Sequence, residues 1–306
     1  MTKLPVRSET RRAVLVAGLL GLFVLLWSVA EWLPTLLTPG YSLYQVVWMR
    51  YGTHILVMLL ALAPRHGRAL FRTQRLGLQL GRGLLMLVMP ASYILSLDRA
   101  RGGDVMAVFW LVPILILVFA ALVQGDRARW PLWGAAAATT LGAQLILRPT
   151  TSGAAAIFGL GMALSFSLYV VLTRSLRDEP TMVNLFYSAV AVFVPLTLAM
   201  PAVWQPLTAR DAIVMAGVGL VGLVVLWALD KACELVSATV FGPLFALQLL
   251  LALLLSPLLG GPQAGRLALV GAALIAGAAI VALRSTADKQ TASREPREAR
   301  LEVETL

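Results

Sequence analysis

The chain has 306 residues, 59% of them hydrophobic and 13% charged, with a formal net charge of +10 and a mean hydropathy of +0.84. That is too little polar surface to wrap a water-soluble globule of this length, so the bilayer is its solvent. One cysteine, Cys233, and two distant histidines, His54 and His66, exclude a disulfide framework and a histidine or thiolate metal centre, and no metal or cofactor is expected.

A helix needs roughly 20 apolar residues to cross ~30 Å of hydrocarbon. Ten windows meet that length: 13–37, 41–63, 79–98, 104–123, 131–148, 154–174, 182–202, 211–229, 236–258 and 265–284. Residues 1–12 precede them. The first window follows Arg11 and Arg12 as a signal peptide would, but it is too long, Trp27, Glu31 and Trp32 interrupt it, and no small-x-small cleavage site follows, so a retained helix is expected. The second window carries Arg50, the third opens at Arg82 and contains Pro90, and the fourth contains Pro113 and runs into a turn at Gly125. The ninth repeats that design with Pro243 and the Gly260–Pro262 turn. Short links such as Thr38–Gly40 pack neighbouring helices antiparallel. Residues 285–306 mix Lys, Arg, Glu, Ser and Thr with few large apolar residues and read as a disordered tail.

The ten windows divide into two sets of five, 13–148 and 149–284, each with one proline-bearing helix that reaches a glycine turn. An odd number of crossings inverts the second copy, which gives an all-α integral membrane fold of ten transmembrane helices in two inverted five-helix repeats, the build of many secondary transporters. Cations fix the orientation, because Lys and Arg gather on the cytoplasmic side. With the N-terminus inside, nineteen Lys and Arg fall inside and five outside, with Arg50 left within a helix. Both termini are then cytoplasmic, in a multi-pass protein of the cytoplasmic (inner) membrane. The same placement accounts for the positive charge, and nucleic acid is not an expected partner, since no aromatic stacking residues alternate with the basic ones.

No GxSxG, HExxH or GxxxxGK[ST] sequence is present, so neither an enzyme nor a nucleotide-driven pump is expected. Transport would use a gradient, with a proton as the candidate coupling ion.

Several short motifs resemble the EamA type of the drug/metabolite transporter superfamily. They are Trp27-Ser28, Gln45–Tyr51 with Arg50, Arg82-Gly-Leu-Leu, Pro113 followed by Ala120–Arg127, Leu147-Arg148-Pro149, Asn184–Tyr187 and Phe241-Gly-Pro243. The resemblance spans about residues 13–284. It departs at Asp126, where the family usually has glutamate, and at Gly260–Pro262, where a Gly-Glu pair would stand. It implies ten helices in two inverted repeats, with the first, third, fourth, sixth and eighth lining a cavity. Trp27, Tyr93, Trp110, Tyr169 and Trp227 fall on those helices and would give a cavity its apolar and cation–π walls.

Ionisable groups at membrane depth are costly and mark function. Glu31 and Arg50 lie ~9 Å and ~13 Å from the outer ends of their windows, close enough in depth to pair. Two readings stay open: a structural ion pair, or a site for the charged ends of a substrate. Arg82 either reaches the cytoplasmic headgroups or enters the cavity. Gln248, one turn past Pro243, is a candidate cavity amide, and Gln144 needs a buried partner. Pro113 and Pro243 are read as paired helix kinks, each freeing a carbonyl that needs another donor. Asp230, Lys231 and Glu234 are placed in an inner turn, the inverted counterpart of Asp98–Asp104. Glycines at 18, 21, 217, 219, 222, 271 and 277 offer faces for close helix contact.

The reading is a secondary active transporter of a small organic metabolite, amino-acid-like, nucleoside-like or drug-like, working by alternating access as a monomer or homodimer. A non-transporting membrane scaffold or lipid-handling protein is the alternative, and the buried Glu31 and Arg50 weigh against it.

Overall fold

The computed structural model describes residues 6–150, 153–259 and 263–292, and every regular element among them is helical. This is what hydrocarbon demands, since a helix satisfies its own backbone. The long elements are α1 (Val6–Trp32), α2 (Leu43–Val57), α3 (Leu76–Ser96), α4 (Gly102–Phe109), α5 (Val112–Gln124), α6 (Trp130–Leu147), α7 (Gly153–Ser175), α8 (Thr181–Val203), α9 (Ala209–Leu235), α10 (Ala238–Phe245), α11 (Leu247–Leu255) and α12 (Arg266–Ala292).

Among the described residues nine helices are long and apolar enough to cross a membrane. The window expected at 131–148 forms α6, but its threonines, Gln144 and two tryptophans dilute its apolar character, and it is not one of the nine. The regular α-helix of α1 gives way to a 3-10 turn after Trp32 and that of α2 to a π-helical turn after Val57, and three further ends differ from expectation. Helix α1 starts at Val6, α12 runs on to Ala292, and α9 continues to Leu235 rather than stopping near 229. Residues 1–5 and 293–306, within the predicted termini, lie outside the described residues, as does 260–262, the second predicted turn.

Both proline helices are broken rather than merely bent. The first stops at Phe109 and restarts at Val112, and the second stops at Phe245 and restarts at Leu247. Pro113 sits in the first turn of α5, where a missing N–H leaves no helical bond unmade. Pro243 lies inside α10, three residues before its break. Two carbonyls at the first break accept from side chains one turn apart on α6: Thr140 Oγ1 donates to Trp110 O at 3.0 Å and Gln144 Nε2 to Ala107 O at 2.7 Å. This is the partner Gln144 required. The two broken helices touch at Gly242, where an added Cβ would lie 3.2 Å from the Pro113 carbonyl oxygen.

The first proline helix ends as expected. Gly125 takes a left-handed conformation, φ 67°, that closes α5, and Asp126 Oδ2 accepts from Thr239 Oγ1 at the start of α10 (3.2 Å).

Helix pairings repeat across the molecule. Helix α3 packs on α7 and α8, and α9 packs on α1 and α2. The broken α4/α5 packs on α7, and the broken α10/α11 packs on α1. Helix α2 also packs on α8, α5 on α10, and α6 on α12.

The α6/α12 crossing is the tightest. A Cβ on Gly271 would fall 2.4 Å from Gly142 O, and one on Gly142 2.6 Å from Gly271 O. Gly271→Ala is therefore expected to force the two backbones apart, at about 1–3 kcal/mol, read as a lower melting midpoint in detergent. Gly219 and Gly222 are also close-contact positions, against Thr53 and Arg50, whereas a Cβ on Gly18, Gly21, Gly217 or Gly277 would meet nothing within 4 Å.

Aromatic rings fill the space around both breaks. Phe245 lies 4.8 Å from Phe166, 5.3 Å from Trp110 and 5.8 Å from Phe23, centroid to centroid. Trp27 closes the cluster at 5.4 Å from Phe23 and 6.0 Å from Phe245.

Candidate substrate cavity

Inside the helices lies a cavity of about 470 Å³. Trp27 of α1, Arg50 and Tyr51 of α2, Tyr93 of α3 and Phe166 of α7 supply its rings and its charge. Four methionines, Met86, Met89, Met106 and Met162, line much of the remainder. A larger groove of about 730 Å³ runs between residues 71–76 and 176–187, but loops line it at one end of the bundle.

Three of the predicted site residues, Trp27, Arg50 and Tyr93, meet in this cavity. Trp110 is buried in the aromatic cluster, and Trp227 is half-buried and packed against the core without lining the cavity. Gln248 is buried, and its Oε1 has no hydrogen-bond partner among the described residues. The side chain of Glu31 lies outside the described residues, so the Glu31–Arg50 pair does too.

Arg50 lies against α9. Its guanidinium occupies the space left by Gly222 of α9, where a Cβ would fall 2.5 Å from Arg50 Nε and 2.9 Å from Cζ. Cζ stands 5.8 Å from the Tyr51 ring centroid. One turn on, His54 is buried with its ring 4.9 Å from Tyr51, and its Nε2 has no partner among the described residues.

Arg82 and Tyr169 form a separate centre. Arg82 does not reach the headgroups: it is 0% exposed. Its Nη1 donates to Thr173 Oγ1 at 2.7 Å and Asp230 Oδ2 at 3.1 Å, and Nη2 donates to Asn184 O at 2.8 Å and Ser188 Oγ at 2.7 Å. The Tyr169 hydroxyl donates to Asp230 Oδ1 at 3.1 Å, and its ring centroid lies 4.7 Å from Arg82 Cζ. A buried guanidinium is tolerable only with such a counter-ion and a nearly filled donor set. The network joins α3, α7, α8 and α9. Asp230 is therefore not in a turn as expected, because the longer α9 carries it into the bundle.

Cavity and network are stacked along the same helices. On α3, Met86 to Tyr93 line the cavity and Arg82 lies about 6 Å nearer the helix start. On α7, Phe166 faces the cavity and Tyr169 and Thr173 follow, and on α9 Leu226 precedes Asp230. Beyond the network, Glu234 bonds Lys231 at 2.8 Å and accepts from Thr181, while Arg174 donates to the Cys233 and Glu234 carbonyls. At the opposite end Asp211 accepts from Thr38 N, Tyr41 OH and Thr208 Oγ1. Asp104 is satisfied by Thr150, which gives it both N–H (2.8 Å) and hydroxyl (2.5 Å).

A helical bundle of apolar spans, hollow at its middle and with a buried charged network beside the hollow, has the build of a multi-pass membrane transporter of a small metabolite. Comparison with known proteins agrees. Residues 153–284 match the EamA-like transporter family. An S-adenosylmethionine uptake transporter of Rickettsia felis is 23% identical over 255 residues, covering 82% of this chain and 86% of that protein. The protein of the same description from Rickettsia prowazekii is 24% identical over 212 residues, covering 68% and 71%. A solved crystal structure superposes with a TM-score of 0.74 at 18% identity, covering 87% of this chain and 96% of that one, and so shares the fold. Residues 153–284 thus carry the match to the EamA-like transporter family, and over most of its length the chain is similar to proteins described as transporters.

Proposed function

We propose that this protein is a secondary active carrier of a small organic metabolite, working by alternating access around the 470 Å³ cavity. The observation that carries this reading is the stacking of the cavity on the Arg82–Asp230 network along α3, α7 and α9. The network is the closed gate of one side, and the cavity belongs to the other. With the cytoplasmic orientation of the termini that the cation distribution favours, the closed gate faces the cytoplasm and the protein sits in the inner membrane.

Two inverted five-helix repeats, 13–148 and 149–284, supply the rocking bodies, with α6 as the fifth helix of the first. The pairings support this: with the broken α4/α5 and α10/α11 each counted as one span, exchanging each span for the one five places away turns α3 with α7 into α9 with α1, and α3 with α8 into α9 with α2. The breaks at Trp110–Leu111 and Ala246 occupy matched places in the two halves. Trp27, Arg50 and Tyr93 are the substrate contacts, and Arg82 and Tyr169 act through the gate. Trp110, Trp227 and Gln248 shape the surrounding core, and Pro113 and Pro243 mark the breaks. A proton is the candidate coupling ion.

The description of the Rickettsia relatives as S-adenosylmethionine uptake transporters supports a small-metabolite substrate. The test is reconstitution in liposomes with a labelled metabolite panel, with and without a proton gradient. Flux of at least one compound, lost in Arg50→Gln, is expected. No flux of any compound, with Arg50→Gln indistinguishable from the parent in melting and compound binding, would leave a scaffold as the better reading.

A further inference from the structure

The cavity has one formal charge on its described lining, the Arg50 guanidinium, and no carboxylate there. That guanidinium lies against the bare backbone of Gly222 and beside Tyr51, with a buried Nε whose N–H no described residue accepts. The rest of the wall is apolar or soft. Trp27, Tyr93 and Phe166 present ring faces, and the methionine thioethers adapt their shape to whatever lies against them. A polyhydroxylated body would leave its hydroxyls unpaired on such walls, and a second cation would stand beside Arg50 in low dielectric.

Resting on the carrier reading above, we propose that the cavity selects an organic monoanion: a carboxylate received by Arg50, carried on a flat aromatic or apolar body held between the rings and thioethers. A guanidinium presents a planar fork of donors that matches a carboxylate's two oxygens, which a lysine ammonium does not. The volume lies within the range of sites for small organic ligands. This preference separates the chain from the relatives described as S-adenosylmethionine transporters, since that compound sets a sulfonium and an ammonium beside its single carboxylate and is a net cation.

The full-length protein in detergent would be titrated with five compounds, reading the melting midpoint: indole-3-acetate, 3-phenylpropionate, phenylalanine, phenethylamine and S-adenosylmethionine. The two anions should stabilise it, and the amine and the sulfonium should not. Arg50→Gln should weaken anion binding roughly ten- to a hundredfold, the loss of a charged hydrogen-bond pair. Gly222→Ala should weaken it similarly through a methyl that displaces the guanidinium, and Arg50→Lys should recover part of it. Gly222→Ala serves as the reading if Arg50→Gln does not fold. Stabilisation by phenethylamine or S-adenosylmethionine, phenylalanine binding as tightly as phenylpropionate, anion binding unchanged in Gly222→Ala and Arg50→Lys, or no binding by any of the five would each overturn the proposal. Liposomes distinguish the two levels. Flux of a cation with none of an anion sinks the substrate class and leaves the carrier, whereas absence of all flux removes the carrier.

Discussion

Asp230→Ala is expected to lower the stability of the bundle by about 3–5 kcal/mol, because it leaves the Arg82 guanidinium an uncompensated charge in a dry interior. Arg82 and Asp230 are 0% and 1% exposed, so no solvent screens the loss. The Tyr169 hydroxyl would lose its acceptor at the same time. Thr173 and Ser188 would be less affected, since each hydroxyl also donates to a carbonyl one turn back, Tyr169 O and Asn184 O. A triple variant, Arg82→Met, Asp230→Leu and Tyr169→Phe, removes all three charged or stranded groups together. It should recover most of the melting midpoint, because an apolar replacement of a buried pair is often neutral or stabilising. It should not recover transport, because a gate that closes by pairing charges needs the charges. Melting and flux measured on the single and triple variants separate the two roles, and recovery of flux by the triple variant would count against the gate.

Phe245→Ala is expected to cost about 3–5 kcal/mol as well, the loss of a fully buried ring plus the void it leaves. Phe245 ends α10 at the second break and touches rings from α1, α4 and α7 together with Trp110. Phe166 and Trp27, two of its neighbours, also line the cavity, so the void would open beside it. The variant should melt lower and bind the larger members of a ligand series relatively better. Phe245→Leu, which refills most of the volume, should reverse much of both effects.

The sequence alone carried the apolar spans, the two interrupted proline helices, though as kinks rather than breaks, and three of the residues that line the cavity, because each is written locally. A helix long enough to cross hydrocarbon must appear as an apolar run, and a proline near the middle of one must interrupt its hydrogen bonds. Arg50 was legible as a cation deep in an apolar run, and Gly222, which gives it room, as one of a group of small residues. Arg82 was visible as a charge, but its fate was not. Whether a long side chain near a helix end turns to the headgroups or inward depends on a counter-ion supplied 148 residues later.

Asp230 was misplaced for a related reason. Asp230 and Glu234 close together read as a polar turn, whereas they lie on the last two turns of a helix that runs to Leu235. A signal did exist: acidic residues at a helix C-terminus oppose the helix dipole, so two of them call for dedicated partners. Glu234 has Thr181 and Lys231, and Asp230 has Arg82 and Tyr169. The four cavity methionines and His54 gave no comparable signal, since methionine is at home anywhere in an apolar helix and one buried histidine resembles another.

The most direct test of the account asks whether the Arg82–Asp230 network closes the cavity from one side. Cys233 is the single cysteine, so Met89→Cys in a Cys233→Ala background places one thiol in the cavity wall. Right-side-out and everted vesicles would be treated with a membrane-impermeant maleimide. The account predicts labelling from the outer face alone, and appearance of cytoplasmic-face labelling when Asp230→Asn is added. Equal labelling from both faces before that change, or none from the cytoplasmic face after it, would contradict the account.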